Sequence, residues 1–127
     1  MFRGNDAYAS FSVSDLAAAR EFYAGTLGLE VATTEDPMGF LELHLGGGGR
    51  VLVYDKPDHQ PATFTVLNFV VDDVEQAVDR LAGAGIEMLR YEGFEQDARG
   101  IARGDYGPPI AWFADPAGNV IAVMQAA

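Results

Sequence analysis

The chain has no cysteine and only two histidines among its 127 residues. Disulfide bonds, thiolate catalysis and cysteine-ligated zinc are therefore excluded. Without such cross-links the fold must depend on a hydrophobic core. A chain of this length can build one, because it buries about two-thirds of its unfolded surface on folding. We expect one compact domain that covers residues 1–127.

Basic residues are scarce, since eight Lys and Arg stand against 19 Asp and Glu, for a net charge of −11. This balance disfavours nucleic acids and anionic membranes, whose phosphates attract basic surfaces. It suits a cationic ligand, and equally a plain soluble surface. No charged start is followed by a long apolar run. The sequence thus predicts neither a signal peptide nor a membrane span, and we expect a cytoplasmic location.

An internal repeat is the strongest pattern in the sequence. The stretch "FSVSDLAAAREFYAG" (11–25) aligns without gaps with "FVVDDVEQAVDRLAG" (69–83), so that Phe11 matches Phe69 at an offset of 58. One gap later, "GLEV" (28–31) matches "GIEM" (85–88). Fixed-period self-similarity indicates a duplicated structural unit. The polar, proline-containing stretch 55–63 joins the copies, which predicts a module over 1–60 and another over 61–127.

Each copy begins with a predicted strand and continues into a helix. Apolar and serine residues alternate over 9–14, and apolar residues then recur at helical spacing. Either Ser14 or Asp15 is expected to cap the first helix. Asp72 has capping-box spacing to Glu75 for the second helix. Glycines at the ends of the two aligned stretches, Gly25 and Gly83, are predicted to end the helices.

Three further strands are predicted in each module. In the first module they are 28–31, 39–45 and 50–55, with "GGGG" (46–49) as a hairpin turn. In the second module they are 87–94, 110–114 and 119–125. Residues 95–109 show no clean period, which predicts a loop or a distorted strand. A functional lid and a mobile surface loop are both compatible with that stretch.

The repeat, together with "VSDLAAAREFYAGTLGLEV" and "WFADPAGNVIAV", resembles the vicinal oxygen chelate superfamily. That superfamily contains glyoxalases, bleomycin resistance proteins and extradiol dioxygenases. The resemblance runs from about Tyr8 to Met124. It implies an α+β fold of two tandem β-α-β-β-β modules, with a curved mixed sheet around a cavity, and commonly a homodimer.

Metal-using members of that superfamily hold one divalent ion with two histidines and two carboxylates. Carried over by the motifs, these positions fall on Tyr8, Val66, Ala122 and, within one or two residues, Val53. An ordinary tyrosine is a poor ligand for a hard cation, and the other side chains have no donor atom. The sequence therefore predicts no metal and no other cofactor.

Strand alternation assigns the residues that face the ligand. Trp112 is either a stacking surface or part of the core, and Tyr91, Phe94 and Tyr106 flank the irregular stretch, where they are placed to close over a ligand. The predicted ligand-binding residues are Tyr8, Ser10, Ser12, Val53, Val66, Asn68, Trp112, Ala122 and Met124.

Two histidine clusters carry alternative chemistry. Glu42 and His44 lie two apart on a predicted strand and so share a face, where they form a candidate acid–base pair. The two residues would fit equally well on a solvent-exposed surface or at a dimer interface, with no catalytic role. His59, with Asp55 and Asp58, is a candidate metal cluster or merely a polar connector.

These patterns favour a metal-independent small-molecule binding protein that sequesters a cationic or aromatic compound and has no nucleic acid or membrane partner. The resemblance to the superfamily implies a homodimer. The first alternative is a metal-dependent lyase, isomerase or dioxygenase whose ligands have shifted to Glu42, His44 or Asp55. The second alternative is an interaction or regulatory module that uses its surface. The sequence leaves these alternatives open, because one scaffold supports many activities.

Overall fold

The computed structural model describes residues 1–34, 39–105 and 107–127. Its contacts divide the chain into two compact units, Met1–Gln60 and Pro61–Ala127. Each unit contains one four-stranded mixed sheet and one helix, in the order β-α-β-β-β. The fold class predicted from the repeat is therefore confirmed.

In unit 1 the strands pair in the order β1-β4-β3-β2, with β1 parallel to β4 and the other pairs antiparallel. The helix continues as a π-helical turn, and a short 3₁₀ turn forms the predicted glycine hairpin. The elements are β1 (Ala9–Val13), α1 (Leu16–Arg20) with its π turn (Glu21–Thr26), β2 (Glu30–Thr34), β3 (Phe40–His44), the 3₁₀ turn (Gly46–Gly48) and β4 (Arg50–Asp55).

Unit 2 repeats this topology in the order β5-β8-β7-β6, with β5 parallel to β8. Its elements are β5 (Thr65–Val71), α2 (Val74–Gly83), β6 (Ala102–Gly104), β7 (Gly107–Ala114) and β8 (Val120–Gln125). Over the described residues of both units, no helix is both long and apolar enough to span a membrane.

Aspartates begin both helices by accepting hydrogen bonds from otherwise unpaired N–H groups. Asp15 Oδ1 accepts from the N–H of Ala18, and Asp73 Oδ1 accepts from that of Gln76, each over 3.1 Å. The first cap is one of the two residues predicted. The prediction of Asp72 for the second was wrong by one residue, because Asp73 holds the extended conformation that precedes α2.

One of the two predicted helix-ending glycines was misplaced, because Gly25 lies inside the π turn. Gly83 is the last residue of α2, as predicted, but it does not hold the left-handed conformation expected of it. The left-handed conformation falls instead on Gly28 (φ 74°) and Gly85 (φ 86°), two to three residues later. In unit 1 the helical part of the chain continues through the π turn to Thr26, so the glycine with positive φ follows that turn.

Each helix covers one face of its own sheet. In unit 1 the ring centroids of Phe11 on β1 and Tyr23 on the helix are 6.0 Å apart, and Leu41, Leu43 and Val53 are almost completely buried. In unit 2 the corresponding buried cluster lies between α2, β7 and β8. It consists of Val74, Val78, Ile101, Ala111 and Val123. Full burial of one such side chain contributes about 1.5–3 kcal/mol.

The strand predicted over 87–94 does not form, and the second strand of unit 2 is Ala102–Gly104 instead. A side chain replaces the expected ladder, because Gln96 Nε2 donates to the carbonyls of Leu89 and Gly100 and Gln96 Oε1 accepts from the N–H of Tyr91, each over 2.8 Å. The stretch 95–109 thus holds β6 and the start of β7, while Tyr106 lies outside the described residues.

Candidate ligand-binding site

A cavity opens on the face of the unit 1 sheet that turns away from α1. Its volume is about 400 Å³, and it is lined by Tyr8, Phe40, Glu42, Arg50 and Leu52. Sites for small molecules usually span about 300–1,000 Å³. The cavity therefore has the size of a site for a small organic compound.

Strand alternation explains why these residues meet. Leu41 and Leu43 on β3 are buried toward the helix, so Phe40 and Glu42 point to the other face. On β4 the same alternation buries Val51 and Val53 and exposes Arg50 and Leu52 to the cavity. The β3–β4 register places Glu42 opposite Leu52, and His44 opposite Arg50. We call the set Tyr8, Phe40, Glu42, Arg50 and Leu52 the unit 1 pocket.

Arg50 is the cation of the unit 1 pocket. Its guanidinium carbon lies 4.9 Å from the centroid of the Tyr8 ring, a distance typical of cation–π contact. Its Nη2 also donates to Asp6 Oδ2 over 2.8 Å. The hydrogen bond with Asp6 raises the pKa of Arg50 above its ordinary value, and the same bond lowers the pKa of Asp6. The pocket thus contains a guanidinium that already binds one carboxylate.

Glu42 and His44 lie close together, as their spacing predicts. Glu42 Oε1 and His44 Nε2 are 3.5 Å apart, and both side chains are more than a third exposed. Glu42 lines the unit 1 pocket, whereas His44 lies beside it. The geometry permits a charge contact whenever the imidazole is protonated.

The predicted ligand-binding residues of unit 1 have different positions. Tyr8 lines the pocket and is about half exposed, whereas Ser10 lies beside it on β1. Ser12 Oγ is 2.7 Å from His59 Nδ1, so the serine fixes the connector to β1. Val53 is fully buried on the helix face, so its assignment to the ligand face was wrong. The register is off by one, and Leu52 takes that place.

Strand pairing locates the last-strand position of unit 1 in the superfamily's metal-binding pattern, and the motifs give the other three positions. Ser10 pairs with Leu52 across β1 and β4, and the repeat-equivalent Asn68 pairs with Ala122 across β5 and β8. The four positions therefore carry one phenol and three hydrocarbon side chains, namely Tyr8, Leu52, Val66 and Ala122. This set does not fit a divalent cation, which requires carboxylate or imidazole donors.

The other side chains that could bind a metal ion also lie apart from one another. Within the described part of the chain, no three or more His, Asp or Glu side chains gather closely enough to hold a metal ion. The cluster proposed at the connector, Asp55, Asp58 and His59, is therefore not assembled as a metal site. His59 contacts Ser12, and Asp58 pairs with Lys56.

The corresponding face of unit 2 is filled by the chain's own side chains. The register makes Trp112 the counterpart of Glu42, because both lie opposite the matched residues Ala122 and Leu52. By the same register Val120 is the counterpart of Arg50. Unit 2 thus has the uncharged side chains of Trp112 and Val120 where the unit 1 pocket has charges.

Two more rings cover Trp112. Its ring centroid is 5.3 Å from that of Tyr91 and 5.1 Å from that of Phe94, and only 8% of Trp112 is exposed. Trp112 also packs with Ala122, whose side chain is completely buried. Of the two roles predicted for Trp112, the structure gives it the core position, and Tyr91 and Phe94 close over it rather than over a vacant site.

The remaining predicted residues of unit 2 lie at the edge of this filled face. Asn68 on β5 is exposed, and Val66 and Met124 are half-buried. A second cavity of about 540 Å³ runs along α2 and is bordered by Asp79 and Arg99. Arg99 Nε donates to Asp79 Oδ1 over 2.9 Å, so these two charges of the cavity pair with each other.

Two residues singled out from the sequence, Tyr8 and Glu42, line the unit 1 pocket, but the sequence patterns missed Asp6, Arg50 and Leu52. The signal for Arg50 and Leu52 was present in "RVLVYD", where they alternate with two valines. Only the register against β1 decides which set faces the cavity. Asp6 meets Arg50 across 44 positions in sequence, a contact that no local pattern contains.

A two-unit β-α-β-β-β fold with an open pocket on one sheet defines the class of this protein. The model of the Glyoxalase/Bleomycin resistance protein/Dioxygenase superfamily matches residues 7–123. The chain belongs to that superfamily. A search of curated protein sequences returned no match.

Solved structures of similar fold have several activities. The chain is 25% identical to TnmS3, an antibiotic binding protein from Streptomyces sp. CB03234, with 98% of each chain covered and a TM-score of 0.72. It is 21% identical to lactoylglutathione lyase from Agrobacterium tumefaciens, covering 98% of this chain and 96% of that one, with a TM-score of 0.68. It is 14% identical to the fosfomycin resistance protein FosX from Listeria monocytogenes, covering 95% of this chain and 90% of that one, with a TM-score of 0.72. The last two similarities show the fold alone.

Proposed function

We propose that this protein is a metal-independent binding protein that sequesters a small aromatic compound in the unit 1 pocket. The observation that carries the proposal is the lining of that pocket. Tyr8 and Phe40 supply rings, Leu52 supplies an apolar surface, and Glu42 and Arg50 supply polar anchors. Pockets that are largely apolar with a few placed polar groups are typical of small-molecule sites.

The pocket favours an aromatic guest over a purely cationic one. Rings pair with rings in offset or edge-to-face geometry, which adds about 0.5–1.5 kcal/mol to the burial of area. The preference for a cation came from the net charge of −11, but Arg50 places a positive charge inside the pocket. The similarity to TnmS3, an antibiotic binding protein, supports a binding role on this fold.

Calorimetric titration with a panel of planar aromatic compounds tests the proposal. At least one compound is expected to bind, and Leu52→Trp is expected to abolish binding because a larger side chain fills the cavity. Tyr8→Ala is expected to weaken binding about five- to tenfold through loss of a ring contact. Phe64→Ala is the matched control, since Phe64 is 68% exposed and lies outside the pocket. Equal affinities for all these variants would refute the assignment.

An enzyme of the same superfamily is the second candidate, and the proximity of Glu42 to His44 favours it. A shifted metal site there would make the protein a lyase, an isomerase or a dioxygenase. Metal analysis of protein purified without chelator tests this candidate. Stoichiometric Zn, Ni, Mn or Fe that disappears in Glu42→Gln and His44→Ala variants would replace the binding proposal with the enzymatic one.

The expected cytoplasmic location, the homodimer and the absence of nucleic-acid partners remain predictions. Light scattering coupled to gel filtration measures the oligomeric state directly. A homodimer is the expected result, and a monomer at all concentrations would contradict it.

A further inference from the structure

The unit 1 pocket already contacts a carboxylate that belongs to the chain itself. Asp6 Oδ2 lies 2.8 Å from Arg50 Nη2, and the other side of the arrangement is the Tyr8 ring, 4.9 Å from the guanidinium carbon. We propose that the pocket recognises an aromatic compound that bears an acidic group, that Arg50 anchors the acidic group, and that Asp6 competes with the ligand for Arg50. This inference rests on the proposed binding function and specifies its ligand.

Arg50 has the chemistry that an anion anchor requires. A guanidinium is permanently charged and presents its N–H donors in a rigid plane, which matches the two oxygens of a carboxylate. The contact with Asp6 engages one nitrogen, Nη2. A ligand carboxylate that spans two nitrogens would form a stronger, bidentate pair. The ring of the same ligand then lies beside Tyr8 and Phe40, which also line the pocket.

Asp6 is a competitor that a ligand can displace. It belongs to the irregular segment 1–8, ahead of β1, and its side chain is 75% exposed. Exposed ion pairs contribute little to stability, because water solvates both groups well. A ligand that replaces Asp6 therefore loses little, and it gains the burial of its aromatic ring.

The repeat shows that the fold does not need Arg50. Val120 holds the equivalent position in unit 2, where it packs against Trp112 and Ala122 in a buried cluster. The same backbone therefore accepts an apolar residue at this site. Glu42 lies in the pocket with Arg50, so a cationic ligand is the competing possibility that an experiment must distinguish.

Three probes that share one ring system separate these possibilities. Naphthalene-2-carboxylate is anionic near neutral pH, naphthalene-2-carboxamide is neutral, and naphthalene-2-carboxamidine is cationic. Titration calorimetry with the full chain is expected to show the carboxylate binding about tenfold more tightly than the amide, as one charge-assisted hydrogen-bonded pair predicts. The amidine is expected to bind most weakly. Arg50→Gln is expected to bring the ratio of the carboxylate and amide affinities close to one.

The competitor role of Asp6 has its own readout. Asp6→Asn is expected to strengthen carboxylate binding about threefold, since it removes an exposed counter-ion of Arg50, and to leave amide binding unchanged. Asp58→Asn is the matched control, because Asp58 is an equally exposed aspartate that pairs with Lys56 outside the pocket. Equal effects of the two substitutions would refute the competition.

The outcomes distinguish this inference from the proposed function. Equal affinities for the carboxylate and the amide, or tightest binding of the amidine, would overturn the inference while binding of an aromatic compound still stands. Circular dichroism of the Arg50→Gln protein establishes that it is folded. Absence of binding by all three probes and by the wider aromatic panel would overturn both the inference and the proposed function.

Discussion

The turn between β7 and β8 depends on one buried carboxylate, Asp115, which is only 4% exposed. Its Oδ1 accepts hydrogen bonds from the N–H groups of Ala117 and Asn119, both over 2.9 Å. Its Oδ2 accepts from Asn119 Nδ2 over 3.1 Å, and Asn119 is itself buried. We predict that Asp115→Ala destabilises the protein strongly.

The magnitude follows from the donors that the substitution leaves behind. The N–H of Ala117 is partly buried and regains water, whereas the N–H and the side-chain amide of Asn119 stay buried. Loss of a buried acceptor costs about 1–3 kcal/mol for each buried hydrogen bond that it made, so the two bonds from Asn119 give a total loss of about 2–6 kcal/mol. Asp115→Asn keeps one oxygen for the two backbone donors but turns its own amide toward that of Asn119. Its expected loss is about 1–2 kcal/mol.

Urea unfolding monitored by circular dichroism measures these losses as shifts of the midpoint at constant slope. Glu87→Ala, at an exposed position in the same unit, is the control and is expected to change stability by less than about 0.5 kcal/mol. If Asp115→Ala matched this control, or if the asparagine variant were as unstable as the alanine variant, the hydrogen bonds would not be the source of the stability.

Three more substitutions probe unit 2 by urea unfolding. Gly100→Ala is expected to cost at least about 2 kcal/mol, because Gly100 has φ 90° and an added Cβ would lie 2.8 Å from Met88 Cβ. Gly47→Ala is the control, because Gly47 has φ 85° and an added Cβ there would meet no other atom, so this substitution carries only the conformational cost. Equal losses of stability in the two glycine variants would refute the steric reasoning. Trp112→Ala is expected to cost about 3–5 kcal/mol as a core truncation, and a loss below about 1 kcal/mol would mean that the ring is not core. Burial raises the pKa of Asp97, but hydrogen bonds from two backbone N–H groups and one arginine outweigh it, and the pKa falls below 3.8. Its stabilising effect is thus present above pH 3.8 and disappears as the pH falls through the lowered pKa. Asp97→Asn should therefore destabilise the protein at neutral pH, and its effect should shrink as the pH falls through the lowered pKa of Asp97; a loss independent of pH would contradict this sign.

Most of the fold was predictable because its strands and helices bury apolar residues that recur at a regular spacing in the sequence. Strands β1, β3, β4, β7 and β8 have alternating or continuous apolar patterns, and the duplication adds a second copy of the evidence for the first strand and the helix of each unit. The strand predicted over 87–94 does not form although its pattern looked similar, and there the side chain of Gln96 pairs with the N–H of Tyr91 and the carbonyl of Leu89. A hydrogen bond from a side chain to a distant backbone group leaves no period in the sequence.

The candidate site was less predictable, because it depends on register and on long-range contacts. Tyr8 was located through a motif, and it lines the pocket from the residue just before β1. The prediction that Val53 faces the ligand was wrong because the register of β4 against β1 decides which residues of β4 face the cavity. Trp112 was ambiguous because a pattern identifies a face of the sheet but does not show whether another segment covers it.

The two copies of the repeat show how composition decides which face remains open. Trp112 and Val120 would form an exposed apolar patch if nothing covered them, so Leu89, Tyr91 and Phe94 lie over that face. At the equivalent positions in unit 1, Glu42 and Arg50 are charged, so leaving them uncovered exposes no apolar patch. Covering them would remove two charges from water, and an ion pair repays that desolvation only with excellent geometry. The unit 1 face therefore stays accessible, and a ligand that binds there must provide its own partner for the charges.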